Sequence, residues 1–101
     1  MNIFVIGGGA REHSIVWSLK KSKNCGDIFC SPGNAGIERL ASCHKLDFND
    51  RKGIIDFCNE NNIKLVIIGP EEFLEKGLSD FFMEKGIKVF GPSKKATQLE
   101  S

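Results

Sequence analysis

The sequence predicts an α/β fold in which a parallel sheet is flanked by helices on both faces. Several short runs of β-branched and aromatic residues show no polar alternation, which is typical of strands buried on both faces. Segments with apolar residues at helical spacing alternate with these runs, which implies parallel strands joined by right-handed crossovers. Four runs end directly in a loop containing glycine or proline. Such loops share the carboxyl edge of a parallel sheet, where ligands bind, so the predicted fold is Rossmann-like.

The first half of the chain predicts two strands separated by a helix. Ile3 to Ile6 form the first strand, and a helix runs from about Arg11 to Lys21. A short strand near Asp27 to Cys30 ends in the loop Ser31-Pro32-Gly33-Asn34. The next stretch, residues 37–46, is ambiguous and is compatible with a helical turn followed by a weak strand.

The middle of the chain predicts a helix and the clearest central strand. Asn49 or Asp50 caps a helix whose apolar side consists of Ile54, Ile55 and Cys58. Leu65 to Ile68 form the strand, which ends in the loop Gly69-Pro70-Glu71.

The last third predicts one more helix and strand. An apolar stripe at spacing i, i+4, i+7 and i+8 indicates the helix: Leu74, Leu78, Phe81 and Phe82. Gly86 is a plausible helix stop, and Ile87 to Phe90 form the following strand. Ser93 is expected to cap a last helix.

The composition excludes several classes of function. A length of 101 residues suits one domain, which we place at residues 1–101. The formal net charge is +1, so we expect no nucleic acid as partner, because nucleic-acid surfaces need a basic excess. The longest apolar run is too short to span a membrane, so no membrane partner is expected. The four cysteines form no Cys-x-x-Cys pair and no secretory signal opens the chain, which predicts reduced thiols in a cytoplasmic protein.

The segment from Gly7 to His13 is the first loop that could bind a ligand. Glycines allow positive φ and close ligand approach, and free N–H groups at a helix start suit an anion or polar group. The pattern is similar to the dinucleotide motif G-x-G-x-x-G, but Glu12 stands at the third glycine position, so close helix–strand packing is not provided for. The second strand ends in Cys30-Ser31-Pro32 without an acid for a ribose diol, and the Gly-Lys-Ser/Thr of a P-loop is missing. A nicotinamide nucleotide site and a purely structural turn stay open as alternatives.

The side chains that open the first helix each have two interpretations. Arg11 either pairs with a ligand carboxylate or phosphate through its rigid fork or belongs to an exposed ion pair of the first turn. Glu12 suits a helix N-terminus through the macrodipole without any function. His13 is expected to be a packing or hydrogen-bonding residue rather than a general base. Core or interface positions are expected for the aromatic residues Trp17, Phe81 and Phe82.

Two further loops are candidates for the same edge. In the loop Pro32 to Gly36, Asn34 tolerates left-handed geometry and offers an amide to a ligand, and an ordinary turn is the equal alternative. Glu71 follows the central strand, where its carboxylate could accept hydrogen bonds from ribose hydroxyls or an amine. Capping of the next helix is the alternative for Glu71.

Four blocks of sequence carry a family resemblance. They are Val5-Ile6-Gly7-Gly8-Gly9-Ala10-Arg11-Glu12-His13 with Trp17, Ser31-Pro32-Gly33-Asn34-Ala35-Gly36, Ile68-Gly69-Pro70-Glu71 with Leu74 and Lys76-Gly77, and Phe90-Gly91-Pro92-Ser93 with Ala96 and Gln98-Leu99-Glu100-Ser101. This ordered set resembles the glycinamide ribonucleotide synthetase family, also called phosphoribosylamine–glycine ligase. The resemblance runs from end to end, and the order of the blocks makes it specific.

The resemblance implies a fold and a reaction. It implies the pre-ATP-grasp form of the Rossmann-like sheet, with this chain as the N-terminal domain and the family's ATP-grasp and C-terminal domains outside it. The family joins glycine to 5-phosphoribosylamine in de novo purine (IMP) biosynthesis, forming glycinamide ribonucleotide and cleaving ATP with Mg²⁺ or Mn²⁺. The ATP and metal ligands belong to the ATP-grasp domains, which are the expected partners of this domain. This chain alone is therefore expected to bind neither ATP nor metal and to be inactive.

The resemblance also implies which residues contact substrate. Gly9, Ala10 and Arg11 are expected to contact 5-phosphoribosylamine, and Glu71 is expected to hold its ribose or amine. Weaker candidates lie in the second loop: Pro32, Gly33, Asn34 and Gly36. The chain departs from the family pattern at Ala10, where glycine is usual, and at Glu72-Phe73-Leu74, where Ala-Pro-Leu is common. A nucleotide-binding module of the oxidoreductase class and a non-catalytic interaction domain are the rival interpretations.

Overall fold

The architecture is a parallel sheet with helices on both faces. The structure is a computed structural model that describes residues 1–69 and 76–90. The sheet has the strand order β3-β2-β1-β4-β5, with all pairs parallel. The strands are β1 (Asn2–Gly7), β2 (Ile28–Pro32), β3 (Ser42–Cys43), β4 (Ile63–Ile68) and β5 (Lys88–Phe90). The helices are α1 (Ala10–Lys20), α2 (Arg51–Glu60) and α3 (Lys76–Glu84), with a 3₁₀ turn at Ile37–Arg39.

The structure confirms the predicted fold class and most element positions. The ambiguous stretch 37–46 contains a helical turn followed by the two-residue strand β3, as one of its interpretations expected. Strand β2 starts one residue later than predicted and runs on to Pro32, and β4 starts earlier, at Ile63. Leu74, the helix start predicted at Ser93 and the third loop beyond Gly69 lie outside the described residues.

Strand β1 lies at the centre of the sheet and is buried on both faces. Ile3 and Val5 join a cluster of buried residues that includes Val16 of α1. Phe4 and Ile6 join the opposite cluster, to which α2 and α3 contribute buried residues. These α2 and α3 residues are Ile54, Cys58, Leu78 and Phe82. The continuous apolar run that predicted a strand without polar alternation therefore reflects helices packed on both sides.

Aromatic rings fill the α2 face beside strand β2. The ring of Phe57 lies 5.1 Å from that of Phe4 and 5.7 Å from that of Phe29, the latter edge-on. His44, which follows β3, packs edge-on against the same Phe57 ring at 5.1 Å. Tilted and edge-on contacts at these distances are the favoured geometries of ring pairs. Ring packing of His44, next to β3, thus adds to the backbone pairing that holds this two-residue strand.

Local sequence signals set two of the helix ends. Asp50 caps α2, because its Oδ1 accepts a hydrogen bond of 3.0 Å from the amide of Gly53. Gly86 follows the end of α3 with φ of +81°. The amide of Gly86 donates to the carbonyl of Met83, and the amide of Ile87 donates to that of Phe82. This is the paired pattern of a Schellman stop, so the helix end predicted at Gly86 is confirmed.

The predicted burial of the aromatic residues holds in part. Phe82 is fully buried and Phe81 is partly buried, as expected of core positions. Trp17 is 53 % exposed and lies beneath the Nζ of Lys21, which is 3.4 Å from the ring centroid. The ring faces solvent under a cation–π contact, so the core position is wrong for Trp17 and the interface position stays a prediction. Among the residues that the structure describes, no helix has the length and apolar character needed to cross a membrane.

Two glycines of the α3 region should respond to alanine with opposite signs. A Cβ at Gly86 or at Gly77 meets no atom within 4 Å, so only backbone conformation distinguishes the two sites. Gly86→Ala should lower the free energy of unfolding by about 1–2 kcal/mol, because φ is positive there. Gly77→Ala should raise it by about 0.4–1 kcal/mol, because the residue is helical. Urea unfolding of both variants checks this, and the same sign for both would contradict the Schellman stop.

Candidate functional site at the carboxyl edge of the sheet

The candidate site lies where three neighbouring strands end. Strands β2, β1 and β4 are adjacent in the sheet, and each is followed by a glycine-containing loop. The chain leaves β1 toward β2 on one side, and β4 returns to the other side of β1. The gap between β1 and β4 is therefore the topological switch point, where open α/β sheets form their ligand crevice.

The first two loops are hydrogen-bonded to each other. The amide of Gly33 donates to the carbonyl of Gly7 at 3.1 Å. The side-chain amide of Asn34 donates to the carbonyl of Gly8 at 2.8 Å. A Cβ on Gly8 would lie 2.8 Å from the carbonyl oxygen of Gly33, so a larger residue at Gly8 would force the loops apart. The close approach of the two backbones explains why the first loop needs glycine here.

The Asn34 side chain also begins the 3₁₀ turn. Its Oδ1 accepts a hydrogen bond of 2.9 Å from the amide of Ile37, and its backbone carbonyl accepts one of 2.9 Å from the amide of Glu38. Gly33, just before it, has φ of +74°. The turn interpretation of Asn34 therefore describes what its side chain does in the structure. Its contact with a ligand stays a prediction.

Helix α1 begins at the same edge. Gly9 is extended, with φ of −95° and ψ of −176°, and Ala10 is the first helical residue. Ala10 and Arg11 are exposed at this helix start, on the loop side of the sheet. Arg11 makes at least one polar or electrostatic contact in the structure, so its guanidinium is not a free side chain. Its position is compatible with the predicted contact to an anionic ligand group.

Glu12 is fully buried, unlike an exposed first-turn charge. Its Oε1 accepts a hydrogen bond of 2.8 Å from the amide of Gly9, the reciprocal contact of a capping box. A Cβ on Gly7 would lie 2.7 Å from the carboxyl carbon, and a Cβ on Gly69 would lie at the same distance. The carboxylate thus occupies the space between the ends of β1 and β4.

The role of Glu12 corrects two sequence interpretations. The first interpretation was that Glu12 is favoured at the helix start only through the macrodipole. The structure shows more than this, because the side chain turns inward and makes a specific hydrogen bond. The expectation that no close packing is provided for at this position is also wrong, because glycines in the strand ends accept the side chain. The available signal was a glutamate three residues after the helix cap, the N3 position of a capping box.

His13 packs against the second loop. Its ring lies so close to Gly36 that a Cβ there would be 2.7 Å from the imidazole Cε1. The ring is half-buried on the side of α1 that faces the second loop. A packing residue was the expected interpretation of His13, and this contact supports it.

Cys30 of strand β2 is hydrogen-bonded to the start of the first loop. Its buried thiol donates to the carbonyl of Gly7, with a sulfur–oxygen distance of 3.3 Å. Burial raises the pKa of the Cys30 thiol to about 12, so the thiol keeps its proton at neutral pH and can act as the donor. Its register partner on β3 is Cys43, and all four cysteines are free thiols.

Most of the predicted substrate residues come together at this edge. Glu71 lies outside the described residues, and its contacts stay a prediction. The residues on the first two loops and the start of α1 are Gly9, Ala10, Arg11, Pro32, Gly33, Asn34 and Gly36. Across residues 1–69 and 76–90, no cluster of three or more His, Cys, Asp or Glu side chains could hold a metal ion.

The sequence matches a known family over nearly its whole length. Residues 1–100 match the family described as phosphoribosylglycinamide synthetase, N domain. Similar proteins named phosphoribosylamine–glycine ligase occur in Caldanaerobacter subterraneus, at 44 % identity over 99 % of this chain, and in Clostridium acetobutylicum, at 40 % identity over 99 %. The protein of that name in Rhodopirellula baltica is 43 % identical over 98 % of this chain. The chain spans about a quarter of the length of these curated relatives, between 23 % and 24 %.

Removal of the Asn34 side chain should destabilise the domain. Asn34→Ala removes the hydrogen bonds to Gly8 and Ile37, so the free energy of unfolding should fall by about 1–3 kcal/mol. Asn59→Ala, at an exposed position of α2, is the matched control and should change it by about 0.5 kcal/mol or less. Urea unfolding measures both. An equal effect of the two variants would contradict the assigned role of Asn34.

Buried thiols should make the domain less stable at alkaline pH. Burial raises the pKa of Cys30 to about 12 and that of Cys58 to about 11, whereas unfolded thiols ionise near pH ~8.5. Above that pH the unfolded chain loses protons that the folded chain retains. The free energy of unfolding should therefore be maximal below about pH 8.5 and fall through pH 11–12, by at most about 1.4 kcal/mol per pH unit for each thiol.

Urea unfolding at several pH values between about 8 and 11 tests this slope. The chain has no tyrosine, so phenol ionisation does not contribute in this window. Cys58→Ala should make the decline shallower, and the double variant with Cys30→Ala should make it shallower again. An unchanged pH dependence in the double variant would show that the thiols are not its source.

Proposed function

This chain belongs to the phosphoribosylglycinamide synthetase N-domain family, and we propose that it forms one wall of the 5-phosphoribosylamine pocket of a phosphoribosylamine–glycine ligase. The whole enzyme joins glycine to 5-phosphoribosylamine and forms glycinamide ribonucleotide, with cleavage of ATP to ADP and phosphate. This reaction belongs to de novo purine biosynthesis. We place the enzyme in the cytoplasm, where its four free thiols stay reduced.

One observation carries the proposal: a family match over residues 1–100 coincides with a ligand edge built by three neighbouring strand ends. The matched segments that are rich in glycine are the ones that meet at this edge. Two of the loops are hydrogen-bonded through Asn34 and Gly33, so contacts within the protein hold one wall of the proposed pocket. A preformed wall limits the ordering cost of binding.

The proposal gives each predicted site residue a role. Gly9 and Ala10 contact the substrate at the start of α1. Arg11 holds an anionic group of the substrate with its planar fork. Glu71 holds the ribose or the amine. Fixing the substrate in this way removes much of the entropy cost of bringing two reactants together.

The nucleotide and metal belong elsewhere in the enzyme. We assign ATP and Mg²⁺ or Mn²⁺ to the ATP-grasp domains of the full-length enzyme, which dock against this domain. The 101-residue chain by itself is then a binding domain without ligase activity.

Arg11 offers the direct test of the pocket. In the full-length protein, Arg11→Ala should weaken binding of glycinamide ribonucleotide by roughly 10- to 100-fold, because a charge-assisted hydrogen bond is lost. Arg11→Lys keeps the positive charge but loses the planar guanidinium, so its affinity should lie between those of the wild type and Arg11→Ala. Arg39→Ala is the matched control, since Arg39 is exposed on the 3₁₀ turn and should leave the affinity within about twofold. Isothermal titration calorimetry gives the affinities.

Thermal shift measurements separate this proposal from its rivals. Glycinamide ribonucleotide should raise the melting temperature of the full-length protein, with a shift that grows with the logarithm of the ligand concentration above Kd. A shift with NAD or NADP and none with glycinamide ribonucleotide would establish the oxidoreductase module instead. No shift with any of these ligands would favour a non-catalytic interaction domain.

A further inference from the structure

The most informative group outside the predicted site is the buried carboxylate of Glu12. It belongs to the first turn of α1 and stands at the position of the third glycine in a dinucleotide motif. In dinucleotide sites the amides of this helix start bind the diphosphate of the ligand. Here the amide of Gly9 donates instead to Glu12 Oε1 at 2.8 Å. The protein's own carboxylate has taken one of the anion-binding donors.

The surroundings fix the carboxylate in this place. Glu12 has no exposed surface. Gly7 at the end of β1 and Gly69 after β4 lack the side chains that would collide with it. Strands β1 and β4 flank the switch-point crevice, so the acidic group lies directly beneath the position where a ligand enters.

This placement reverses the electrostatic preference of the helix start. A helix N-terminus normally favours an anion, by up to about 1–2 kcal/mol in partly buried geometry. The Glu12 carboxylate already accepts the hydrogen bond from the Gly9 amide, so it occupies the position that the helix start would offer to an anion. Its negative charge repels a second anion. A hydroxyl or amine of a ligand meets no such repulsion.

We propose that Glu12 is a specificity-determining residue that closes the β1–β4 crevice to diphosphates and leaves it open to hydroxyl and amine groups. The ligand half of this inference rests on the proposed function. It orients 5-phosphoribosylamine with its ribose and amine over the crevice and its phosphate away from the Gly9 amide. The exclusion of diphosphates rests on Glu12, Gly7, Gly9 and Gly69 alone.

The test measures where an anion binds. In the full-length protein labelled with ¹⁵N-glycine, inorganic pyrophosphate is titrated and its affinity is obtained from the amide resonances of Gly8 and Gly9. These signals report binding at the edge itself, whatever else binds pyrophosphate in the enzyme. Glu12→Gln keeps an oxygen acceptor for the Gly9 amide and removes the charge, so pyrophosphate affinity at these amides should rise roughly tenfold.

Two further variants and one control make the outcome decisive. Glu12→Gly also frees the Gly9 amide and should raise pyrophosphate affinity at least as much as Glu12→Gln. Glu60→Gln removes an equal charge from the exposed end of α2 and should change the pyrophosphate affinity at Gly8 and Gly9 by less than about twofold. Glu12→Ala should weaken glycinamide ribonucleotide binding about tenfold or more, and Glu12→Gln should recover part of that loss, because its acceptor still orients the loop.

Equal pyrophosphate affinity at Gly8 and Gly9 in the wild type and Glu12→Gln would overturn the inference. The wild type gives a test that needs no variant: at equal ligand concentration, glycinamide ribonucleotide should shift the Gly9 resonance clearly more than pyrophosphate does. A pyrophosphate shift as large as that of glycinamide ribonucleotide would also overturn it. If pyrophosphate behaves as expected but glycinamide ribonucleotide does not shift Gly9, the proposed function fails and the exclusion of diphosphates by Glu12 stands.

Discussion

The hydrogen bond from the Gly9 amide to the buried Glu12 carboxylate constrains the described part of the ligand edge from within the domain. It defines where α1 begins, and it holds the first loop back over the ends of β1 and β4. An acidic group can be buried only where it receives hydrogen bonds or opposite charge, so its partners must keep their positions. A buried side chain therefore determines the backbone position of this loop.

The second loop is built onto this fixed first loop. The Gly33 amide and the Asn34 side chain attach it to the carbonyls of Gly7 and Gly8, while the Cys30 thiol reaches the Gly7 carbonyl from below. The contacts converge on two consecutive carbonyls, so a change at any of them moves both loops together. Under the proposed function, fixed loop positions of this kind would help to orient one reactant of the ligation. Hydrogen bonds thus join the two loops and strand β2.

Most of the fold was predictable because most elements had their own local signal, whereas the stretch that contains the 3₁₀ turn and β3 was ambiguous. The uninterrupted apolar run of β1 and the glycine at residue 86 correspond directly to a doubly buried strand and a Schellman stop. The inward turn of Glu12 was not predictable by the same reasoning, because it depends on Gly69, which is 57 residues away in the chain and adjacent only after β1 and β4 pair. The choice between core and interface for Trp17 could not be made from the sequence for a related reason: periodicity locates a helix but does not decide which side chain lies at the border of its buried stripe.

The crowding around Glu12 also links positions in evolution. Alanine at Gly7 or Gly69 would collide with the Glu12 side chain, whereas a smaller residue at position 12 would remove that obstacle at Gly69. At Gly7 the φ of +144° would still disfavour any side chain. At Gly69 the carbonyl oxygen of Ile6 would still lie 3.1 Å from a Cβ, so a change at Glu12 should ease substitution at Gly69 without removing its whole cost, and we expect the two residues to covary. A motif search confined to the first loop would include Glu12 and miss Gly69.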